Sequence, residues 1–369
     1  MKSIVYLGIF FLIIKDPTWA QVQEDIPLGT RSAATIFGLK YHYGSILPHS
    51  DDIRDISDSN PWGFELSFSR LNASRKAWQK CNCYHRWGAT LSYINFENPQ
   101  VIGKAYTLVF FFEPILASGK RIELTGKAGM GLAYLTKIFD AEKNPMNLFL
   151  STRLSFPLLL SLNLNYHINS NWNLVLSGYY NHISNGGIKQ PNKGINFPTL
   201  ALGIEHIFNP IVLPEKVKVS NPEKYSLQKY FGLFGTTRST NDSTKIKQGR
   251  KPLIGVQMGV LKRLGKIYGI NAGLEASYDG SFHEEAKRTN GDYESFVLSL
   301  MLGNNLIFGQ FHFSQQFGIY FDPPTPTSKP VFQRYSLDYF ILPKLKTGFS
   351  LKAHGHVAEN IDIRIGVLF

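Results

Sequence analysis

Residues 181–196 read NHISNGGIKQPNKGIN, and two of them have the types and spacing needed to hydrolyse an ester. His182 and Ser184 stand two apart. On a β-strand that spacing puts both side chains on one face, with Cα atoms roughly 6.5 to 7 Å apart, so an imidazole nitrogen can reach the hydroxyl proton. A serine hydroxyl is a weak nucleophile at neutral pH without such a base. Asn185, Gly186 and Gly187 follow directly, an amide side chain and unhindered backbone N–H groups of the kind that hold an oxyanion. Lys189 and Lys193 add cations suited to phosphate or sugar. The same letters also spell an ordinary loop, because Asn-Gly-Gly and Pro-Asn-x-Gly are turn chemistry and His-x-Ser is a short pattern. The choice between the two readings rests on the element that carries them.

That element is written in twos. In WNLVLSGYYNHI, residues 172–183, Trp172, Leu174, Leu176, Gly178 and Tyr180 take one face while Asn173, Ser177 and Asn181 take the other. Continuing by twos brings His182 and Ser184 onto the apolar face. The same alternation runs through IDIRIGVLF at the C-terminus, where Ile361, Ile363, Ile365, Val367 and Phe369 oppose Asp362 and Arg364. From Ile122, the residues Leu124, Ala128, Met130 and Leu132 oppose Glu123, Thr125 and Lys127. A soluble sandwich also alternates. Three features favour a membrane barrel instead: strands of about ten residues or more, a polar face of glycine and charge suited to a lumen, and a terminal strand ending on an aromatic residue.

The ends and the composition agree with export to a membrane. Met1-Lys2-Ser3 precedes the apolar run Ile4 to Ile14, and Thr18-Trp19-Ala20 offers a cleavage site, so residues 1–20 read as a signal peptide and 21–369 as the mature chain. No later run is long enough for a spanning helix. The formal charge of +12, from 39 Lys+Arg against 27 Asp+Glu, suits an anionic partner such as phospholipid or lipopolysaccharide. Export removes nucleic acid from the candidates. Cys81 and Cys83 in KCNCYH could be free or bridged; with His85 they make three ligand types without a fourth, which reads as a structural cluster and not a metal site.

About sixteen strands can be traced, with twelve to sixteen as the range, from 35–45 to 359–369. Short links such as 169–171 and 343–345 fall on one side; long polar ones, 46–61, 239–251, 279–291 and 322–331, fall on the other. That asymmetry makes the short side periplasmic and the long side extracellular. The expected architecture is all-β: one transmembrane antiparallel barrel over 21–369, with an even strand number. Segment 209–227, NPIVLPEKVKVSNPEKYSL, sits badly in this scheme, since it is a long link on the short side.

At the extracellular end of an outward-facing strand, HISNGGIKQPNKGIN resembles the lipid A deacylase family typified by PagL, in its acyloxyacyl hydrolase branch. Residues 95–116, 129–147 and 196–209 carry the likeness across 30–210, and 211–369 resembles the additional barrel segment of longer members. The resemblance implies an outer-membrane serine esterase, without cofactor or metal, that removes an ester-linked acyl chain from lipid A of lipopolysaccharide. It gives His182 the role of base, Ser184 that of nucleophile, and Asn185 with the Gly187 N–H that of oxyanion hole. Typical members carry an acidic residue where this chain has Asn196; an Asn carbonyl can accept the imidazole N–H, though it can also impose the wrong tautomer, and Asn196 is taken as the residue that orients His182. Glu205 is no substitute, lying roughly 23 Å down the next strand. The alternative is a non-catalytic channel or structural barrel: Glu65, Glu123, Lys127, Asp362 and Arg364 on the polar face would line a pore or pair to plug it. The oligomeric state, a homodimer among the options, is left open.

Overall fold

The computed structural model describes residues 32–75, 77–78, 83–214, 227–239, 249–265, 267–289, 294–324, 330–355 and 357–369. The signal peptide expected over 1–20 and Cys81 lie outside these residues; Cys83 is disulfide-bonded. Sixteen strands are present: β1 (Ala33–Gly44), β2 (Trp62–Asn72), β3 (His85–Asn95), β4 (Lys104–Ser118), β5 (Ile122–Leu135), β6 (Leu154–His167), β7 (Trp172–Ser184), β8 (Ile195–Phe208), β9 (Leu227–Ser239), β10 (Arg250–Arg263), β11 (Tyr268–Asp279), β12 (Phe296–Phe308), β13 (Phe311–Tyr320), β14 (Val331–Phe340), β15 (Leu345–His354) and β16 (Val357–Leu368). A helix, α1 (Gly280–Thr289), follows β11.

These strands close as two antiparallel barrels of eight, β1–β8 and β9–β16, and not as one barrel of sixteen. β1 pairs with β8, for example Leu39 opposite Ile204, and β16 pairs with β9, for example Ile365 opposite Leu233. The strand number expected from the sequence therefore holds, while the single closure does not. Segment 209–227 falls in the sequence between the last strand of the first barrel and the first strand of the second, and its residues 215–226 lie outside the described ones. Period-two patterning sets each strand's faces but says nothing about which strand closes on the first.

Each strand shows an apolar face outward. Along β7, Leu176 is 51% exposed and its neighbour Ser177 1%. The second barrel repeats this, with Ile363 at 63% flanked by buried Asp362 and Arg364. Wholly apolar walls on closed barrels are stable only against lipid, because there every backbone group is paired and no edge remains. Near the upper ends of β1–β4, Tyr41, Trp62, Phe64, Tyr93 and Tyr106 stack in series, with ring centroids 5.4 to 6.1 Å apart, as an interfacial girdle.

Both lumens are filled, as an eight-stranded barrel requires. In the first, Arg86 lies between Glu205 at 2.9 Å, Glu123 at 2.5 Å and Glu113 at 3.9 Å; above it Lys127 reaches Glu65 at 3.5 Å, and Tyr179 donates to Glu65 at 3.1 Å. In the second, Arg334 pairs with Glu275 at 2.7 Å and Asp362 at 2.5 Å, and Arg364 contacts Asp362 at 3.2 Å. The charged residues that could have lined a pore pair with one another and plug it. They also belong to different barrels: Glu65, Glu123 and Lys127 to the first, Asp362 and Arg364 to the second.

Candidate active site at the rim of the first barrel

The upper end of the first barrel is closed by its own loops. Ile46, Ile53 and Ile56 from the β1–β2 loop and Phe149 and Leu150 from the β5–β6 segment bury against Phe96, Ile102, Leu135 and Phe197. Ile183 and Ile195 enter the same cluster, 1% and 0% exposed. Because neighbours on a strand face opposite ways, anchoring these two isoleucines inward turns His182, Ser184 and Asn196 outward. Packing under the rim thus fixes the orientation of the polar groups on top of it.

His182 and Asn196 are direct cross-strand partners. The imidazole Nδ1 and Asn196 Oδ1 are 2.6 Å apart. An amide oxygen only accepts, so His182 Nδ1 carries the proton and Nε2 is left as a base. Ser184 lies beside that ring. A methyl placed on Gly194 would stand 2.8 Å from His182 Cε1 and 3.3 Å from Ser184 Cβ, so both side chains border one small volume outside the wall. Gly194 has φ of +70°, a left-handed conformation, and the space in front of it is taken by the two functional side chains. If the site hydrolyses an ester, Gly194→Ala is expected to cut that activity roughly a hundredfold by displacing the imidazole, while the barrel still folds. Heat-modifiability on gels together with initial rates checks this, and a Gly194→Ala protein of normal rate refutes it.

The loop after Ser184 is built by the residues expected to hold an oxyanion. Asn185 Nδ2 donates to Lys189 O at 2.8 Å and to Ser151 Oγ at 3.1 Å, and its Oδ1 accepts the Gly187 N–H at 3.0 Å. Asn185 is fully buried, a brace for the turn. Both expected oxyanion donors are thus engaged within the loop, Asn185 Nδ2 by Lys189 O and Ser151 Oγ and the Gly187 N–H by Asn185 Oδ1. Asn192 is different. Its Oδ1 accepts the Asn185 N–H at 2.9 Å, next to Ser184, while its Nδ2 is buried without a hydrogen-bond partner among the described residues. A buried donor left open is costly unless something arrives to accept from it. Sequence reasoning passed over Asn192 because Pro-Asn-x-Gly reads as a turn.

The two lysines separate. Lys189 is exposed. Lys193 is not a free cation: its Nζ donates to Ser50 Oγ at 3.2 Å and pairs with Asp52, whose carboxyl that bond holds below the usual range. It fastens the β7–β8 loop to the β1–β2 loop. His49, from the same β1–β2 loop, is the second residue the sequence concealed: its Nδ1 lies 3.2 Å from Asn196 Nδ2 and its Nε2 2.9 Å from Lys193 O. Glu205 faces the lumen near the other end, bound to Arg86, in keeping with its expected remoteness.

The second barrel touches this rim. Gly186, at φ +63°, leaves the space that Ile361 fills, a methyl there lying 2.6 Å from Ile361 Cδ1. Arg250 Nη1 donates to Ile188 O at 2.8 Å. Lower down, the Phe112 and Phe308 rings lie 5.6 Å apart across the seam.

The profile of the family described as lipid A 3-O-deacylase (PagL) matches residues 62–205, and that of the acyloxyacyl hydrolase C-terminal domain (PagL_C) matches 225–369, one for each barrel and together more than half of the chain. The chain belongs to the PagL family. Its membership and its two lipid-facing barrels make it a β-barrel of the Gram-negative outer membrane. Among solved structures, the outer membrane enzyme PagL aligns at 18% identity and TM-score 0.33, covering 45% of this chain and 97% of that one. Neisserial surface protein A aligns at 12% identity and TM-score 0.30, covering 49% and 100%. No curated protein matches.

Proposed function

We propose that this member of the PagL family is a serine esterase that removes an ester-linked, 3-hydroxyacyl-type chain from lipid A in the outer leaflet. His182 Nε2 takes the proton from Ser184 Oγ as the oxygen attacks the ester carbonyl. The tetrahedral oxyanion accepts from Asn192 Nδ2. Collapse of the intermediate expels the sugar hydroxyl, protonated by the imidazolium, and leaves an acyl-serine that water opens with His182 again as base. Released products are a free fatty acid and lipid A with one chain fewer. The observation that carries this reading is the His182–Asn196 hydrogen bond between the upper ends of β7 and β8, with Ser184 bordering the same volume. The substrate's acyl chain reaches that volume from the membrane and its glucosamine from the surface.

The filled lumens argue against the channel alternative. Asn192→Ala is expected to lower kcat on the order of a hundredfold with little change in KM, since its donor acts on charge that develops only in the transition state; Asn185→Ala should instead show up first as a loss of folded protein. The reading is tested by expressing the chain in a host of defined lipid A and measuring that lipid by mass spectrometry. Loss of one acyl chain supports it, and unchanged lipid A beside folded, membrane-inserted protein rules it out.

A further inference from the structure

We propose that His49 is a positioning residue that sets which nitrogen of His182 is the base, acting through Asn196 from a fixed reference, the backbone carbonyl of Lys193. This rests on the esterase reading above for its consequence in catalysis, but the hydrogen-bond chain itself stands on geometry alone.

An asparagine behind a catalytic histidine is ambiguous in a way a carboxylate is not. Both oxygens of a carboxylate accept, so the facing imidazole nitrogen must donate. An amide can present either Oδ1 or Nδ2, and the second choice would leave His182 with its proton on Nε2, where it cannot act as a base toward Ser184. The contacts remove the choice in order. Lys193 O can only accept, so His49 Nε2, 2.9 Å away, carries a proton. With His49 in its neutral form, Nδ1 is bare and must accept. The group 3.2 Å from it is therefore Asn196 Nδ2, a donor. That orients Asn196 Oδ1 toward His182 Nδ1 at 2.6 Å, which must donate in its turn. His182 Nε2 is left unprotonated.

The device substitutes for the acidic residue that resembling proteins carry at this place. It also couples chemistry to loop closure, because the reference carbonyl and His49 belong to different loops. The Lys193 ammonium, on Ser50 and Asp52, holds those two loops together around the chain of bonds. Asn196 is 8% exposed, so water does not readily replace His49 as its partner.

The test reads the tautomer of His182 directly, by imidazole-nitrogen NMR of the folded full chain in detergent micelles, alongside steady-state rates on purified lipid A. Wild-type protein is expected to show His182 protonated on Nδ1. His49→Ala should give a mixture of tautomers and lower kcat roughly tenfold with KM unchanged. His49→Gln, whose amide can accept from Asn196 and donate to Lys193 O, should restore both. In Asn196→Asp, where no amide can flip, adding His49→Ala should cost nothing further. A His49→Ala protein that keeps His182 wholly in the Nδ1–H form overturns the inference, whatever its rate. If the wild type releases no fatty acid while its tautomer still depends on His49, the esterase reading fails and the positioning role survives.

Discussion

Ser184→Ala is expected to abolish fatty-acid release, a loss of roughly ten-thousandfold or more, and His182→Ala to do the same. The two act as one unit: without the hydroxyl there is nothing for the base to deprotonate, and without the base the hydroxyl stays a poor nucleophile. Their effects should therefore not add. The Ser184→Ala, His182→Ala double variant is expected to be no slower than either single one, at whatever residual rate the Asn192 donor and substrate binding sustain. Rates from liberated fatty acid on detergent-dispersed lipid A, with the folded fraction normalised on a gel, provide the measurement. Neither residue belongs to the apolar cluster beneath the rim, so neither change should disturb the barrel. Substantial turnover by the Ser184→Ala protein would mean that Ser184 is not the nucleophile, and additive losses would mean that the two residues do not share a step.

How much of this site could be read beforehand depends on how local its geometry is. His182 and Ser184 follow from period-two spacing on one strand, and Asn196 from resemblance; the structure pairs His182 with Asn196 across β7 and β8. Their arrangement needs nothing beyond a strand and its cross-strand neighbour. Asn192 and His49 were not legible. Whether an asparagine in a loop is a brace or carries an open donor depends on which hydrogen bonds the loop closes, and here Asn185 is bonded at both ends of its amide while Asn192 Nδ2 has no partner among the described residues. His49 lies 147 residues before Asn196 and meets it only because the β1–β2 loop folds over the rim. No spacing rule encodes such a meeting.

The fold shows the same division. Alternation fixed the strands and their lipid faces, and turn lengths fixed the two sides of the membrane. Closure was hidden because pairing of a first strand with an eighth or a sixteenth leaves the same alternation along each. The one sign in the sequence was the length of 209–227, a long link on the side where links of two or three residues suffice between neighbouring strands. It connects barrels.

Closure at eight strands has an energetic consequence that Arg86 exposes. A narrow barrel cannot hold a continuous column of water, so its inward groups must satisfy one another. Arg86, 2% exposed, is hydrogen-bonded to Glu205 and Glu123 on strands from opposite parts of the wall, with Glu113 beside them. Replacing it with methionine keeps most of the volume but strands carboxylates in a dry interior, with Lys127, 3.8 Å from Glu113, and Lys40 as the cations left acting on Glu113. Breaking a buried pair in this way costs about 3 to 5 kcal/mol. The expected result is a much lower urea midpoint for unfolding from lipid vesicles, whereas Arg54→Ala, which removes an exposed pair with Asp51, should leave the midpoint nearly unchanged. A wild-type midpoint for Arg86→Met would mean that water reaches the lower lumen and solvates those carboxylates. The first barrel would then be wet where its packing makes it dry, and the case against a channel would lose its footing there.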